Sequence, residues 1–412
     1  MPDDQSARGH RFATRLSHAG RAGTKIHGFV NPPVHRGSTM LHTDCADRIA
    51  GGQKRLEQAE VYGVMGNATH HALEDVIAEI EGGTRCQIVS SGLAAVTTPL
   101  LSYLKAGEHM LMPDSVYGPA RAFATGMLHQ LGIETTFYDP VIDAAGLEAL
   151  FRPNTTVLYL ESPGSHTFEV QDVPALAEVA HRLGAKVLMD NTWGIHNFQP
   201  FRHGVDVSIQ ALTKYPVGHS DVLLGSVTVA SNKEWERVRL GALALGQYAS
   251  PDDCWLCLRG LRTMNVRLKH QMKSALEIAS WLEARPEVKQ VLYPALPGAP
   301  GHDLWKRDFS GAASLFGVVF KPEFGPEATQ AMIDSLTLFG IGASWGGFES
   351  LALPTTGFLT RTANSGDFGG PVVRLHIGLE DPADLIADLE QGLSVMRRSG
   401  ERKTKVEQVS GA

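Results

Sequence analysis

Cysteine is scarce: four residues in 412 cannot staple a chain of this length. Cys254 and Cys257 have the spacing of a redox or zinc pair, but no second pair or histidine cluster accompanies them, so the spacing reads as incidental. Long apolar runs are missing too. No stretch approaches the roughly 18 residues of a membrane span, and the opening MPDDQSARGHRFATR lacks a signal-like apolar core. A cytoplasmic protein with no membrane partner is therefore expected. Nor is positive charge in excess: 37 Lys and Arg against 44 Asp and Glu leave a net charge of -7 and no basic field for nucleic acid. The 17 histidines form no ligand spacing, so no metal is expected.

What is present is an ordinary globular composition, 43% apolar and 20% charged, which excludes intrinsic disorder. At about 150 residues per domain the length predicts two or three domains. Residues 1–66 are rich in Gly, Arg, His and Pro without sustained periodicity, and read as an extended arm that needs a surface to lie against. From 67 onward short apolar runs alternate with amphipathic stretches. Strands are expected at 87–90, 109–112, 156–160, 186–190, 205–209 and 225–229, with helices at 93–104, 117–131 and 173–183. Such alternation implies an α/β fold, a mostly parallel sheet covered on both faces. After about 260 the rhythm changes to a long helix at 264–284, strands near Gln290 and Ser314, a helix from Glu327 and a strand at 372–378, a smaller α+β domain. The expected division is thus 1–66, 67–260 and 261–412. The last helix opens with DPAD at 381–384, a cap residue followed by proline and an acid, and the final dozen residues are expected to fray.

In open α/β sheets ligands sit beyond the carboxyl ends of the strands. Four positions there are suggestive. At 90–93 the run SSGL turns a strand into a helix, where free backbone N–H groups would cradle a phosphate, although a simple cap fits equally. Asp190 closes a very apolar strand and needs a cationic partner, or serves as a cap or buried ion pair. Lys214 follows another buried strand; desolvation would free its amine for Schiff-base chemistry, whereas a surface lysine would merely snorkel. Arg374, inside the apolar strand VVRLHIG, would clamp a carboxylate in two-point contact or form a structural salt bridge. Together they are the protein parts needed for pyridoxal phosphate acting on an amino acid.

At these residues, and at YGVMG 62–66, EGG 81–83, LESPG 160–164, DNTW 190–193, TKY 213–215 with GHSD 218–221, SWGG 344–347 and RLHIGLE 374–380, the chain resembles the Cys/Met-metabolism family of pyridoxal-phosphate enzymes over nearly its whole length, its bacterial cystathionine-cleaving members most closely. The resemblance implies a fold-type I, aminotransferase-like subunit, a homotetramer of dimers with shared active sites, and an arm that brings Tyr62 to a neighbour's cofactor phosphate. Lys214 would bond the cofactor and, once freed, take the substrate Cα proton. Asp190 would pair with the pyridinium nitrogen, Gly92 and Leu93 would offer N–H groups and Thr213 a hydroxyl to the phosphate, and Tyr117 would stack on the ring. Arg374, with Ser344 and Trp345, would hold the substrate carboxylate. The implied reaction is carbon–sulfur β-elimination of L-cystathionine to homocysteine, pyruvate and ammonia.

There are departures. Val64 stands where the family usually has an arginine contacting the partner's cofactor phosphate, with Arg48, Lys54 or Arg55 as possible substitutes, and Ala211 stands where a serine is common. Ala242 and Ala122 replace a tyrosine and an acid expected to recognise the far half of the substrate. These leave open a lyase for other cysteine conjugates, a methionine γ-lyase-like enzyme, and a non-catalytic relative.

Overall fold

The computed structural model describes residues 10–21, 28–355, 357–364 and 366–410, with 400–410 as backbone only. Parts of the expected arm, 1–9 and 22–27, and the last two residues of the tail lie outside these. The strands are β1 (Arg85–Val89), β2 (His109–Pro113), β3 (Glu134–Tyr138), β4 (Thr155–Glu161), β5 (Lys186–Asp190), β6 (Val207–Gln210), β7 (Gly225–Val229), β8 (Val288–Leu292), β9 (Leu315–Phe320), β10 (Leu351–Pro354) and β11 (Val372–His376). The helices are α1 (Phe12–His18), α2 (Cys45–Gln53), α3 (Ala68–Glu81), α4 (Gly92–Tyr103), α5 (Gly118–Phe123), α6 (Ala144–Ala149), α7 (Val173–Arg182), α8 (Asn232–Ala244), α9 (Pro251–Glu283), α10 (His302–Asp308), α11 (Gly325–Asp334) and α12 (Pro382–Ser410).

Seven strands form the large sheet in the order β1-β7-β6-β5-β4-β2-β3. β3, β2, β4, β5 and β6 run parallel, and β7 is antiparallel to both β6 and β1. Because successive strand residues face opposite sides, one strand feeds two cores. Val157 and Tyr159 of β4 and Leu188 of β5 join one apolar cluster, while Leu158, Leu160, Val187 and Met189 join the other. That second cluster runs on without a break into the smaller, antiparallel sheet β10-β11-β9-β8. Trp193 strengthens the junction by donating its indole N–H to Leu315 O at 3.0 Å.

Two strands escape the sequence pattern for physical reasons. β3 is a sheet edge with partly exposed residues, and β10 is a short segment ending in proline. The expected helix at 264–284 begins at Pro251, capped by the Ser250 side chain, so the expected division at 260/261 falls inside one continuous helix. Gly260, which reads as a breaker, is there for a close approach: a Cβ would lie 2.5 Å from Pro216 O. The 117–131 segment is α5 followed by a π-turn over 124–128, and α12 continues helically to Ser410 where the polar tail reads as frayed.

The arm is not simply extended, since it contains α1 and α2. Lying outside any sheet, its backbone carbonyls need partners once packing removes them from water, and donors of the body supply them. Arg262 donates to Leu16 O and Ala19 O at 2.8 Å, Trp255 to Pro32 O at 2.9 Å and Trp235 to Leu56 O at 2.7 Å. Arg239 reaches Met65 O at 2.6 Å and Arg55 O at 3.3 Å in the arm, and also donates to Gln87 Oε1 of β1 at 2.6 Å. Among the described residues no helix is long and apolar enough to cross a membrane, and all four cysteines are free thiols. Arg239→Ala removes the donor from three acceptors, and should cost about 3 kcal/mol of stability while making 55–66 cut faster in limited proteolysis; an unchanged cleavage rate would show that the arm is held elsewhere.

Candidate active site

The carboxyl ends of β1, β4, β5 and β6 meet the turn before α4 and the loop 344–347 around Lys214. Each segment approaches closely because a side chain is missing. A Cβ on Gly92 would stand 2.6 Å from the Ala211 Cβ, and one on Gly346 would stand 2.8 Å from Tyr215 N and 2.9 Å from Lys214 C. Gly225, opening β7, would collide with Ser91 O. The first turn of α4 and the lysine loop are thus in backbone contact. Ser91 caps that helix, accepting from Ala94 N at 3.1 Å, while among the described residues no group accepts from the N–H of Gly92 or Leu93.

Lys214 is half-buried and donates to Ser344 Oγ at 2.6 Å, its ammonium 5.3 Å from the centre of the Trp345 ring. Desolvation, helped by the Arg374 charge and opposed by Asp190, lowers its pKa from 10.5 to about 8. Arg374 rises from β11, is buried, and donates to Ser344 O at 3.0 Å. Burial brings its pKa down to about 10. Ser344 holds a left-handed φ of 75°, which a serine adopts only when its surroundings impose it. They do so through Gly346, whose N–H donates to His376 Nε2 at 3.0 Å. His376 Nδ1 lies 3.2 Å from Ser314 Oγ, and Ser314 in turn meets the Tyr215 hydroxyl at 3.0 Å, so the residue after Lys214 and a residue of Arg374's own strand share one buried chain. Ser220 donates to Glu349 at 2.6 Å, and Glu380 accepts from Ser350 N and Oγ at 2.8 Å. The GHSD, SWGG and RLHIGLE runs therefore interlock.

Asp190 ends β5. Desolvation raises its pKa, opposed by the Thr192 hydrogen bonds and the charge of Lys214. Thr192 N donates to Asp190 Oδ1 at 2.9 Å, and Thr192 Oγ1 accepts from Ala211 N at 3.0 Å, tying the carboxylate's turn to the lysine loop. Tyr117 stands 41% exposed at the start of α5, and its pKa is raised by desolvation and by Asp190 and Glu161, with Arg374 opposing.

The other expected positions are placed as follows. The Thr213 hydroxyl donates to Leu224 O at 3.1 Å and accepts from Leu224 N at 2.9 Å, so in this arrangement it pins the lysine loop and its proton is engaged away from any phosphate. Tyr62 is 51% exposed, bridged to Thr39, and among the described residues makes no contact with the Lys214 cluster. Ala242 is fully buried where α8 packs on α4, a packing position rather than a pocket wall; Tyr248, exposed just past that helix, is the aromatic of this region that the sequence reading misses. Ala122 is exposed, and its neighbour Arg121 is neutralised by a buried ion pair with Asp114. Asp114 also accepts from Thr362 N and Ala363 N at 2.6 and 2.8 Å, bringing loop 357–364 over the Tyr117 side. Glu161, whose carboxyl accepts from Tyr117 N at 2.8 Å, also escapes the sequence reading, its glutamate lying inside the LESPG run as the last residue of a strand.

A lysine of lowered pKa between a carboxylate and a buried guanidinium, beside free N–H groups at a helix start, defines an α/β enzyme that engages an amino acid through a phosphorylated carbonyl cofactor. The chain belongs to the Cys/Met metabolism PLP-dependent enzymes, whose family profile matches residues 13–394. It is 50% identical over 387 residues to a putative cystathionine beta-lyase of Rhizobium johnstonii, covering 92% of this chain and 95% of that one. It is 40% identical over 390 residues to cystathionine beta-lyase MetC of Escherichia coli, covering 93% and 98%. The structure of metB from Corynebacterium glutamicum superposes with a TM-score of 0.86 at 30% identity, covering 94% of this chain and 99% of that one. The cofactor is pyridoxal phosphate, and the residues present fit it: an amine able to bond its carbonyl, and unclaimed N–H groups for its phosphate at a helix start that Gly92 lets lie against the lysine loop.

Gly92→Ala forces α4 and the lysine loop apart, and should weaken retention of pyridoxal phosphate by tenfold or more, about 1.4 kcal/mol, in equilibrium dialysis; unchanged retention would show that the contact can relax. Protonated Lys214 cannot attack, so capture of pyridoxal phosphate by the apoprotein, followed by visible absorbance, should accelerate about tenfold per pH unit and level off above about 8. Arg374→Leu removes a like charge and should move that midpoint upward.

Proposed function

We propose that the chain is a carbon–sulfur β-lyase that cleaves L-cystathionine to homocysteine, pyruvate and ammonia. The observation that carries this reading is the Lys214–Ser344–Arg374 arrangement, a nucleophilic amine and a carboxylate clamp joined through one residue. The β-lyase names of the relatives at 50% and 40% identity supply the substrate. The bound cofactor supplies an electron sink for the charge that develops when the Cα proton leaves. Every other task falls to the chain. Arg374 takes the α-carboxylate in a two-point grip, with Ser344 and Trp345 beside it. Tyr117 would cover one face of the cofactor ring, Asp190 would pair with its pyridinium nitrogen and keep it protonated, and the N–H groups of Gly92 and Leu93 would hold its phosphate. Lys214 removes the Cα proton, its amine losing its own proton from about pH 8 because desolvation has lowered its pKa.

The exposed arm supports an assembly in which Tyr62 completes a neighbour's site, a homotetramer of dimers with an amino acid as the small-molecule partner. Body and arm then divide at 1–66, 67–260 and 261–412, with α9 spanning the second division. Four free thiols fit a reducing, cytoplasmic setting. Burial of Ala242 removes it as an argument against cystathionine, since its small side chain packs between helices. Purified holoenzyme given L-cystathionine should release pyruvate and homocysteine in equal amounts, and Lys214→Ala should release neither. 2-Oxobutyrate in place of pyruvate would assign γ-elimination, and no product from cofactor-loaded protein would refute the assignment.

A further inference from the structure

Tyr117 has an aromatic ring to place but little to place it with. Among the described residues its ring makes no aromatic contact and its hydroxyl no hydrogen bond; its hydrogen bonds run through its backbone alone. On the carbonyl side, Tyr117 O accepts from Ala120 N and Arg121 N at 2.9 and 3.1 Å, the first turn of α5. On the other side its N–H has a single partner, the Glu161 carboxyl, at 2.8 Å.

Glu161 is built to hold that bond. It is the buried last residue of β4, and its own N–H donates to Gln171 Oε1 at 3.0 Å. Gln171 Nε2 donates to the Tyr138 hydroxyl and that hydroxyl to Tyr159 O, each at 3.0 Å, while Gln171 N donates to Ser162 Oγ at 3.0 Å. The carboxyl thus projects from a closed frame of buried hydrogen bonds. In the parallel register Glu161 pairs with Asp190, so the residue reaching for Tyr117 and the residue serving the far end of the ring site start side by side on neighbouring strands. The spacing between them is a property of the sheet.

We propose that Glu161 is a positioning residue of the active site: by holding the Tyr117 N–H it sets the tyrosine ring against the cofactor at a distance fixed by the β4–β5 register. This rests on the role of Tyr117 given above. Burial and the adjoining Asp190 carboxylate push the Glu161 pKa well above the usual range, with the Tyr117 N–H and Arg361 opposing and Glu169 adding. A neutral carboxyl suffices for the task, because the bond needs only an acceptor oxygen.

The test is a double-mutant cycle on the holoenzyme. Glu161→Met fills the volume without the acceptor, and is expected to lower kcat/KM for cystathionine about tenfold and to diminish the circular dichroism of the bound cofactor per molecule bound. Glu161→Gln keeps an acceptor oxygen and should restore both. In a Tyr117→Ala background the Glu161→Met effect should vanish, since coupled residues are not additive. Where Glu161→Met does not fold, Glu161→Asp, which withdraws the carboxyl by one methylene, takes its place with the same expected losses. Additive effects, or unaltered cofactor dichroism in a folded Met or Asp variant, would overturn the proposal. Absence of pyruvate from the unmutated enzyme would refute the substrate assignment only, because the dichroism arm reads the Tyr117 contact without turnover.

Discussion

Backbone against backbone at Lys214 is the contact on which everything else in the site depends. Gly92 lets the start of α4 touch the lysine loop at Ala211, and Gly346 lets the 344–347 loop touch it at Lys214 and Tyr215 from the other side. Glycine is needed there because a Cβ would occupy space already filled by the Ala211 Cβ at Gly92 and by main chain at Gly346, and neither can swing aside as a flexible side chain can. The start of α4, Lys214 and Arg374 come from three distant parts of the sequence. They are close enough to serve one small molecule only because these crossings are bare.

Around that crossing the electrostatics run against solvation. Asp190 and Glu161 are pushed toward their neutral forms by burial, and Lys214 and Arg374 toward theirs, so every charge at the centre is held at a cost. The scaffold offsets that cost at a distance, through two extensive apolar clusters and the junction at Trp193. The left-handed Ser344 belongs to the same pattern, local strain kept in place by the buried hydrogen bond that Gly346 N–H, two residues on, donates to His376. An amine that loses its proton near pH 8 is the chemical return on this arrangement.

The repeated hydrophobic rhythm made most of the fold legible. β5 and β7 fall where alternation of apolar runs places them, and α7 is announced by Asp172 and a proline in its first turn. What escaped the pattern did so where tertiary contact overrides local preference. Gly260 sits inside a 33-residue helix because Pro216 and Val217 press on it, and α1 in the arm is secured by Arg262 from a helix far along the chain, a coupling no local window contains.

For the site, sequence alone determined the candidate groups: Asp190 ends and Lys214 follows a buried apolar strand, Arg374 lies inside another, and the ordered motifs that specify the family add Tyr117. Tertiary structure alone decided what each group touches. It assigned the Thr213 hydroxyl to Leu224, buried Ala242 between helices, neutralised Arg121 with Asp114, and gave Glu161 the backbone of Tyr117 to hold. The reason is physical. Residue type and periodicity are one-dimensional and survive in the sequence, whereas hydrogen-bond partners and desolvation depend on which distant segments the packed sheets bring within about 3 Å of one another.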